Sequence, residues 1–297
     1  MGAIDAFVNT FSLMVKNKNL YVLALIMSLI LAPLSVYVLP QDLAELEMNQ
    51  TAFQGGDVIV EEHGGALSEE FTQLFEELLK ALAVLLVISL ILSSIFQYSV
   101  TRGALAYIKG EQYSLSELIV EGIRHFPGTL LINIIYSIIS VALIGAAALL
   151  VVAGVLTLPV GVVLIILGLL LVLVVSLLAI ALSELAIPLY ADKGHVGDSF
   201  EAFRLVLKNM LSSLGFGLLI LVGIFGIMVA MSPVQFIGVA LLDSEAGRYI
   251  SAFIQAPFEA LLYTFLWVAG VTFYEELKKK EELKKVEEEI LDLGIEI

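Results

Sequence analysis

Apolar residues fall along this chain in long blocks, and the longest stretch without a charged residue extends from Phe126 to Ser183. As one helix at ~1.5 Å per residue it would reach about 85 Å, against a hydrocarbon core of about 30 Å. It must therefore fold back. The corner lies between Gly154 and Gly161, where Gly and Pro159 break the helix. The run predicts a transmembrane hairpin with almost no loop. Its two limbs are spans over 129–153 and 160–190, and further apolar blocks give spans over 20–39, 79–99, 212–231 and 250–274. The expected fold is all-α: a polytopic bundle of six spans forming a membrane domain over 1–275, followed by a charged helical tail over 276–297. The first block is longer than the apolar core of a signal peptide, about 7–15 residues, and reads as a retained span.

Between the spans the pattern turns amphipathic. Phe71, Leu74, Phe75, Leu78 and Leu79 recur at helical spacing. With Ser68 as N-cap and Glu69 and Glu70 in the first turn, they start the second span as a helix outside the membrane. Two connecting segments resemble each other. Lys109-Gly110-x3-Ser114-x2-Glu117 recurs as Lys193-Gly194-x3-Asp198-x2-Glu201, and Arg124 and Lys208 match at the same offset. Ser114 with Glu117, and Asp198 with Glu201, have the spacing of a capping box, in which each side chain takes the other residue's backbone N–H. Each pair is expected to open a short interfacial helix before the next span. A looser third copy lies at the N-terminus, where Asp5-Ala6-Phe7 and Lys16-Asn17 resemble Glu201-Ala202-Phe203 and Lys208-Asn209. The chain then reads as three parallel repeats, each an interfacial helix and two spans, an arrangement frequent among transporters. The competing reading is convergence on inexpensive surface motifs.

Charge gives the orientation. Every Lys and Arg except Lys80 and Arg248 falls on one side of the spans. By the positive-inside rule that side, with both termini, is cytoplasmic in a multi-pass protein of the cell membrane. The opposite side carries the acidic loop 40–78, the largest contributor to a net charge of −15. That loop reads as a solvated surface, with a cation-collecting vestibule or a partner-docking surface as the functional alternative. Asp57, Glu61, Glu62 and His63 match no metal-ligand spacing, so no metal is expected, and Asn49-Gln50-Thr51 is a weak glycosylation sequon.

Composition narrows the function. The chain is 60% apolar, a surplus that a bilayer absorbs, and it has no Cys, which excludes disulfides and thiol chemistry. The missing Cys and the Glu/Lys-rich tail are a thermophile-like pattern. Net acidity argues against nucleic acid. His63, His125 and His195 are scattered, and no phosphate loop, serine elbow or zincin pattern is present, so neither an enzyme nor a cofactor is expected. Ionisable groups inside spans are the default functional candidates. Glu184 and Glu259 are the two, each near a Pro. One reading couples them to protons or cations. The other pairs Glu184 with Arg102, Arg124 or Lys208, and Glu259 with Lys80 or water. Asn133, Gln97 and Gln255 are read as hydrogen-bond links between helices. Ala142 with Ala146, and Gly215, Gly217, Gly223 and Gly226, are read as close-packing faces. In the tail, Glu275–Lys279, Glu276–Lys280 and Glu281–Lys285 suit i,i+4 pairs. Leu283, Val286, Ile290, Leu293 and Ile297 form an a/d seam that docks on the protein itself, meets a partner or a second copy, or stays solvated.

The stretch from Ala186-Ile187-Pro188-Leu189-Tyr190 through Gly194, Asp198 and Glu201-Ala202-Phe203 to Lys208-Asn209 resembles a pattern in prokaryotic six-span membrane families. They include uncharacterised archaeal and bacterial proteins and the membrane domain attached to some glycerophosphoryl diester phosphodiesterases. The resemblance implies a membrane bundle. It brings no catalytic residues, since the phosphodiesterase's catalytic barrel has no counterpart here. The expected role is a non-enzymatic membrane scaffold or accessory protein, the alternative a small-solute or ion transporter of repeated two-span units.

Overall fold

The computed structural model describes residues 2–38, 69–241 and 244–292. The acidic segment 40–68, with Ser68, Asn49 and His63, lies outside the described residues, as do Leu293 and Ile297 of the tail seam and the side chain of Ile290. The described residues form eight α-helices: α1 (Gly2–Lys16), α2 (Lys18–Val38), α3 (Glu69–Ile108), α4 (Leu115–Leu156), α5 (Val162–Lys193), α6 (Glu201–Lys208), α7 (Met210–Ala240) and α8 (Glu245–Asp292). A 3-10 turn, Val196–Phe200, precedes α6. Six helices (α2, α3, α4, α5, α7 and α8) are long and apolar enough to cross a membrane. This is the multi-pass helical protein that the apolar blocks predict.

The six long helices pack in chain order, each against the next, and α8 closes the ring on α2. Contacts α3–α5, α3–α8 and α5–α8 cross the middle. The most apolar window of α8 is 61% buried, against 6% to 28% in the other five, so α8 is the core element. Its inward side presents Ala256, Ala260, Thr264, Phe265, Val268 and Phe273, all buried. Phe273 stacks on Phe216 of α7 with centroids 4.1 Å apart. In a bilayer such contacts act through packing, because lipid is as apolar as the side chains.

The α4–α5 hairpin has the tight corner expected of it. A Cβ on Gly161 would stand 1.9 Å from the Gly154 carbonyl oxygen, and one on Gly168 would meet Val151. Only glycine allows this approach. Gly217 fits against the Leu177 backbone and Gly223 against the Phe265 ring. Gly226 meets nothing within 4 Å, and Ala142 and Ala146 are exposed. Those three expectations of close packing fail because the residues face outward, where the surface is lipid. Asn133 donates to Gln97 at 2.8 Å and links α4 to α3. Gln255 bonds Ser251 of its own helix instead of a neighbour.

Helix starts separate what local chemistry dictates from what it does not. Ser114 and Glu117 form a complete capping box at the start of α4. The interfacial helix expected there is the opening of α4 itself, which runs through Pro127 without a break. Asp198 and Glu201 do not cap. Asp198 sits inside the 3-10 turn, and Phe200, with no side-chain cap bond, is the N-cap of α6. The Glu201 carboxylate, which a capping box would send back to Asp198, is taken by Lys193 and Arg204. The copies still agree elsewhere. Gly110 and Gly194 both have positive φ, at 74° and 90°, a conformation that glycine adopts freely. Both α1 and α6 end at Lys-Asn, where the Asn17 and Asn209 amides donate to the Leu13 and Leu205 carbonyls.

Candidate functional site

Three groupings of polar side chains stand out: an ion-pair network where the basic connections meet α8, carboxylates within the spans, and a cluster around His125.

The network is built on Asp192. It lies in the last turn of α5, which ends at Gly194 with that residue's N–H on the Tyr190 carbonyl. The Asp192 side chain is 10% exposed. Its Oδ1 accepts from Lys109 Nζ at 2.5 Å, and its Oδ2 accepts from the Tyr274 hydroxyl at 2.6 Å and from Lys278 Nζ at 3.2 Å. One carboxylate thus ties the end of α3 and two turns of α8 to α5. A second chain of pairs follows. Glu201 binds Lys193 through one oxygen and Arg204 at 2.6 Å through the other. Arg204 and Lys208 reach Glu281 of α8 at 3.1 and 2.9 Å. The Lys193 ammonium beside Glu201, aided by Arg204, holds its carboxyl below the ordinary range, and the carboxylates raise the Arg204 guanidinium in return. Asp192, Glu201, Arg204, Tyr274, Lys278 and Glu281 line a cavity of about 290 Å³. Both signs of charge are interleaved around it and largely satisfied by one another, which makes this a clasp.

The clasp settles two expectations about the tail. The helix of span six continues unbroken past 275 to Asp292. Glu281 turns to Arg204 and Lys208 in place of Lys285, and Lys279 pairs with Glu276 at i,i+3. For Glu281 the partners on α6 replace the i,i+4 one because its carboxylate faces the bundle. Beyond the clasp, Leu283 and Val286 are 65% and 51% exposed.

Glu184 and Glu259 have no hydrogen bond or ion pair among the described residues. The suggested partners are committed elsewhere: Arg102 to Tyr113 and Glu111, Arg124 to Glu121, Lys208 to Glu281 and Lys80 to Glu76. Glu184 is half-buried where α5 meets α8, and a Cβ on Gly270 would stand 2.3 Å from its carbonyl oxygen. Glu259 is half-buried, a helical turn before Tyr263. Eleven residues along α8 separate Glu259 from Gly270, about 16 Å at ~1.5 Å per residue, so the two carboxylates occupy different depths.

A third cluster has no counterpart in the sequence reading. His125 stacks on Tyr98 at 4.6 Å, its Nδ1 lies 3.1 Å from the Tyr190 hydroxyl, and Glu121 stands 3.6 Å from its Nε2. Gly128 makes room for the tyrosine, whose hydroxyl would lie 2.4 Å from a Cβ there. Among the described residues no group of three His, Asp or Glu gathers as a metal site. No family model, curated protein or solved structure matches this chain.

Proposed function

We propose that the protein is a non-enzymatic scaffold or accessory protein of the cell membrane, with both termini in the cytoplasm. The observation that supports this most directly is the single helix α8. It fills the middle of the bundle with buried side chains, is held by the clasp, and then carries exposed Leu283 and Val286 away from the bundle. A core sealed by bulky residues suits rigid display. The tail is then the contact surface for a partner helix or a second copy. The orientation rests on the basic residues, which the positive-inside rule keeps on the cytoplasmic side.

A photo-crosslinking residue at Leu283 or Val286, in cells, tests this reading. It expects one adduct of discrete mass from each position, lost from the Leu283 probe in V286E and from the Val286 probe in L283E. Absence of any adduct at both positions overturns it.

A second reading, transport by repeated two-span units, is favoured by the unpaired Glu184 and Glu259, since an intramembrane carboxylate without a partner is a coupling group by default. It predicts proton or cation flux in proteoliposomes, lost in E259Q. Neither carboxylate lines the four cavities found among the described residues, and we keep transport as the second reading.

A further inference from the structure

Glu275 follows the span 250–274 on α8, between buried Tyr274 and Lys278 of the clasp. Its Oε1 is buried without a hydrogen-bond partner, and Glu275 forms no ion pair among the described residues. Lys279, its i,i+4 neighbour, is taken by Glu276 at 3.1 Å. Asp192, near enough for its charge to act on Glu275, holds three donors: Lys109, the Tyr274 hydroxyl and Lys278. Two acidic side chains therefore face one set of cations, and one of them has all of the bonds.

We propose that Glu275 is a proton-operated release for the clasp: with its proton it leaves Lys278 to Asp192, and without it takes Lys278 and loosens the turn of α8 that leads to Leu283 and Val286. Three features carry this.

The first is the missing partner. A buried carboxylate without one is costly, and a carboxylic acid is far less so. The second is that Lys278 can be exchanged. Its bond to Asp192 is the longest of the three, 3.2 Å against 2.5 and 2.6 Å. The Lys278 side chain is 39% exposed. Residues three apart are neighbours on a helix surface, and Lys278 acts on Glu275 more strongly than the other ammonium groups do. When Lys278 leaves, Asp192 keeps Lys109 and Tyr274, so the bundle stays closed. The third is a route for the proton. Glu275 lines a cavity of about 300 Å³ with Asn9, Ser12, Lys16 and Tyr107, with room for several waters to take the proton up.

The charged and titratable groups that face Glu275 come from four helices. They are Lys16 of α1, Tyr107 and Lys109 of α3, Asp192 of α5, and Tyr274, Glu276, Lys278 and Lys279 of α8 itself. Burial pushes the Glu275 carboxyl above the ordinary range; Asp192 adds to this, while Lys278, Lys109 and Lys279 oppose it. The folded chain thus holds this proton more tightly than the unfolded one. The stability so gained is full below the ordinary carboxylate range and is lost as pH rises through the folded value.

The test compares the full-length parent, E275Q and K278Q in mild detergent from about pH 4 to about pH 9, which brackets ordinary and raised carboxyls. Thermal midpoints are read, together with hydrogen exchange over 277–285 corrected for its intrinsic rate. E275Q, which copies the shape of the protonated side chain, should melt with the parent at the acid end. It should stay above the parent by about 2 °C or more at the alkaline end. Exchange over 277–285 should quicken roughly threefold in the parent as pH rises, the scale of a partly exposed ion pair, and much less in E275Q. K278Q should exchange faster than the parent at low pH and rise little further. A constant midpoint difference between E275Q and the parent overturns the proposal, since the fold would then not alter the hold on this proton. Diverging midpoints with identical exchange profiles overturn it too, because the proton would not act on the clasp. A full pH response in K278Q, read against the parent alone, excludes Lys278 as the exchanged group and has the same consequence.

Discussion

Asp192 joins three helices through one carboxylate, so its removal strands two ammonium groups near each other. D192N keeps the shape and removes the charge. Breaking a largely buried pair at one partner costs several kcal/mol, and the site retains some exposure. The expected loss is about 2–4 kcal/mol, seen as a lower thermal midpoint in detergent, whereas Y274F, which removes one hydroxyl donor, should lose about 1 kcal/mol. Glu201 gives a pH dependence with a definite sign. Its carboxyl is held below the ordinary range, chiefly by Lys193 of α5 and then by Arg204 of α6, which also meets Glu281 of α8. A depressed folded pKa stabilises the fold above the ordinary carboxylate range, and that stabilisation is lost as pH falls through the folded value. Hydrogen exchange in α6 should therefore accelerate as pH is lowered through the acidic range, after correction for intrinsic exchange, and E201Q should flatten much of that change. An unchanged profile in E201Q would refute the assignment. These residues also mark the limit of sequence reading. Ser114 and Glu117 were legible because a capping box closes within one turn. Asp192 was not, since its partners lie 83, 82 and 86 residues away and the matching position in the other connecting segment is the apolar Ile108.

At the scale of elements, the α4–α5 hairpin depends on the absence of side chains. In G161A the new Cβ would overlap the Gly154 carbonyl, so the limbs must part. Overpacking of this kind costs roughly 1–3 kcal/mol. Gly145 in the same hairpin has nothing within 4 Å. G145A should leave stability unchanged or raise it by up to about 1 kcal/mol, the helix-propensity gain. Thermal midpoints of the two variants, measured side by side, separate close approach from mere glycine content; equal midpoints would sink the distinction. The hairpin was legible because a charge-free run of such length cannot cross once. The inward face of each limb was not. With lipid as solvent, Leu, Val and Ala suit either side, so Ala142 and Ala146 point outward despite their small-x3-small spacing. Asp198 shows the same limit in a connection, where the chain spends its capping residues on a 3-10 turn and assigns Glu201 to Lys193. S114A should therefore cost about 1 kcal/mol, and D198A should cost much less, because no cap bond is lost; comparable costs would show that Asp198 acts as a cap after all.

Over the whole molecule, α8 serves as core, clasp partner and projecting arm in one continuous helix, and these roles divide along its length. Leu277 is buried, Lys278 holds Asp192, and Glu281 holds Arg204 and Lys208. Past that point Leu283 and Val286 are exposed. Two truncations separate the segments. A chain ending at Glu282 keeps every clasp contact and should melt close to the full-length protein. A chain ending at Glu276 loses Leu277, Lys278 and Glu281 together. A buried Leu alone is worth about 1.5–3 kcal/mol, and a large domain shifts by roughly 2–4 °C per kcal/mol, so a fall of several degrees is expected. If both truncations melt alike and low, the arm beyond Glu282 packs on the bundle and is no free contact surface. If both melt like the full chain, the clasp contributes nothing. The intermediate result, stability retained at Glu282 and lost at Glu276, gives a tool as well as a test. The Glu282 chain would then preserve the bundle and both intramembrane carboxylates while lacking the arm. A scaffold should lose its partner in that form, and a transporter should keep its flux.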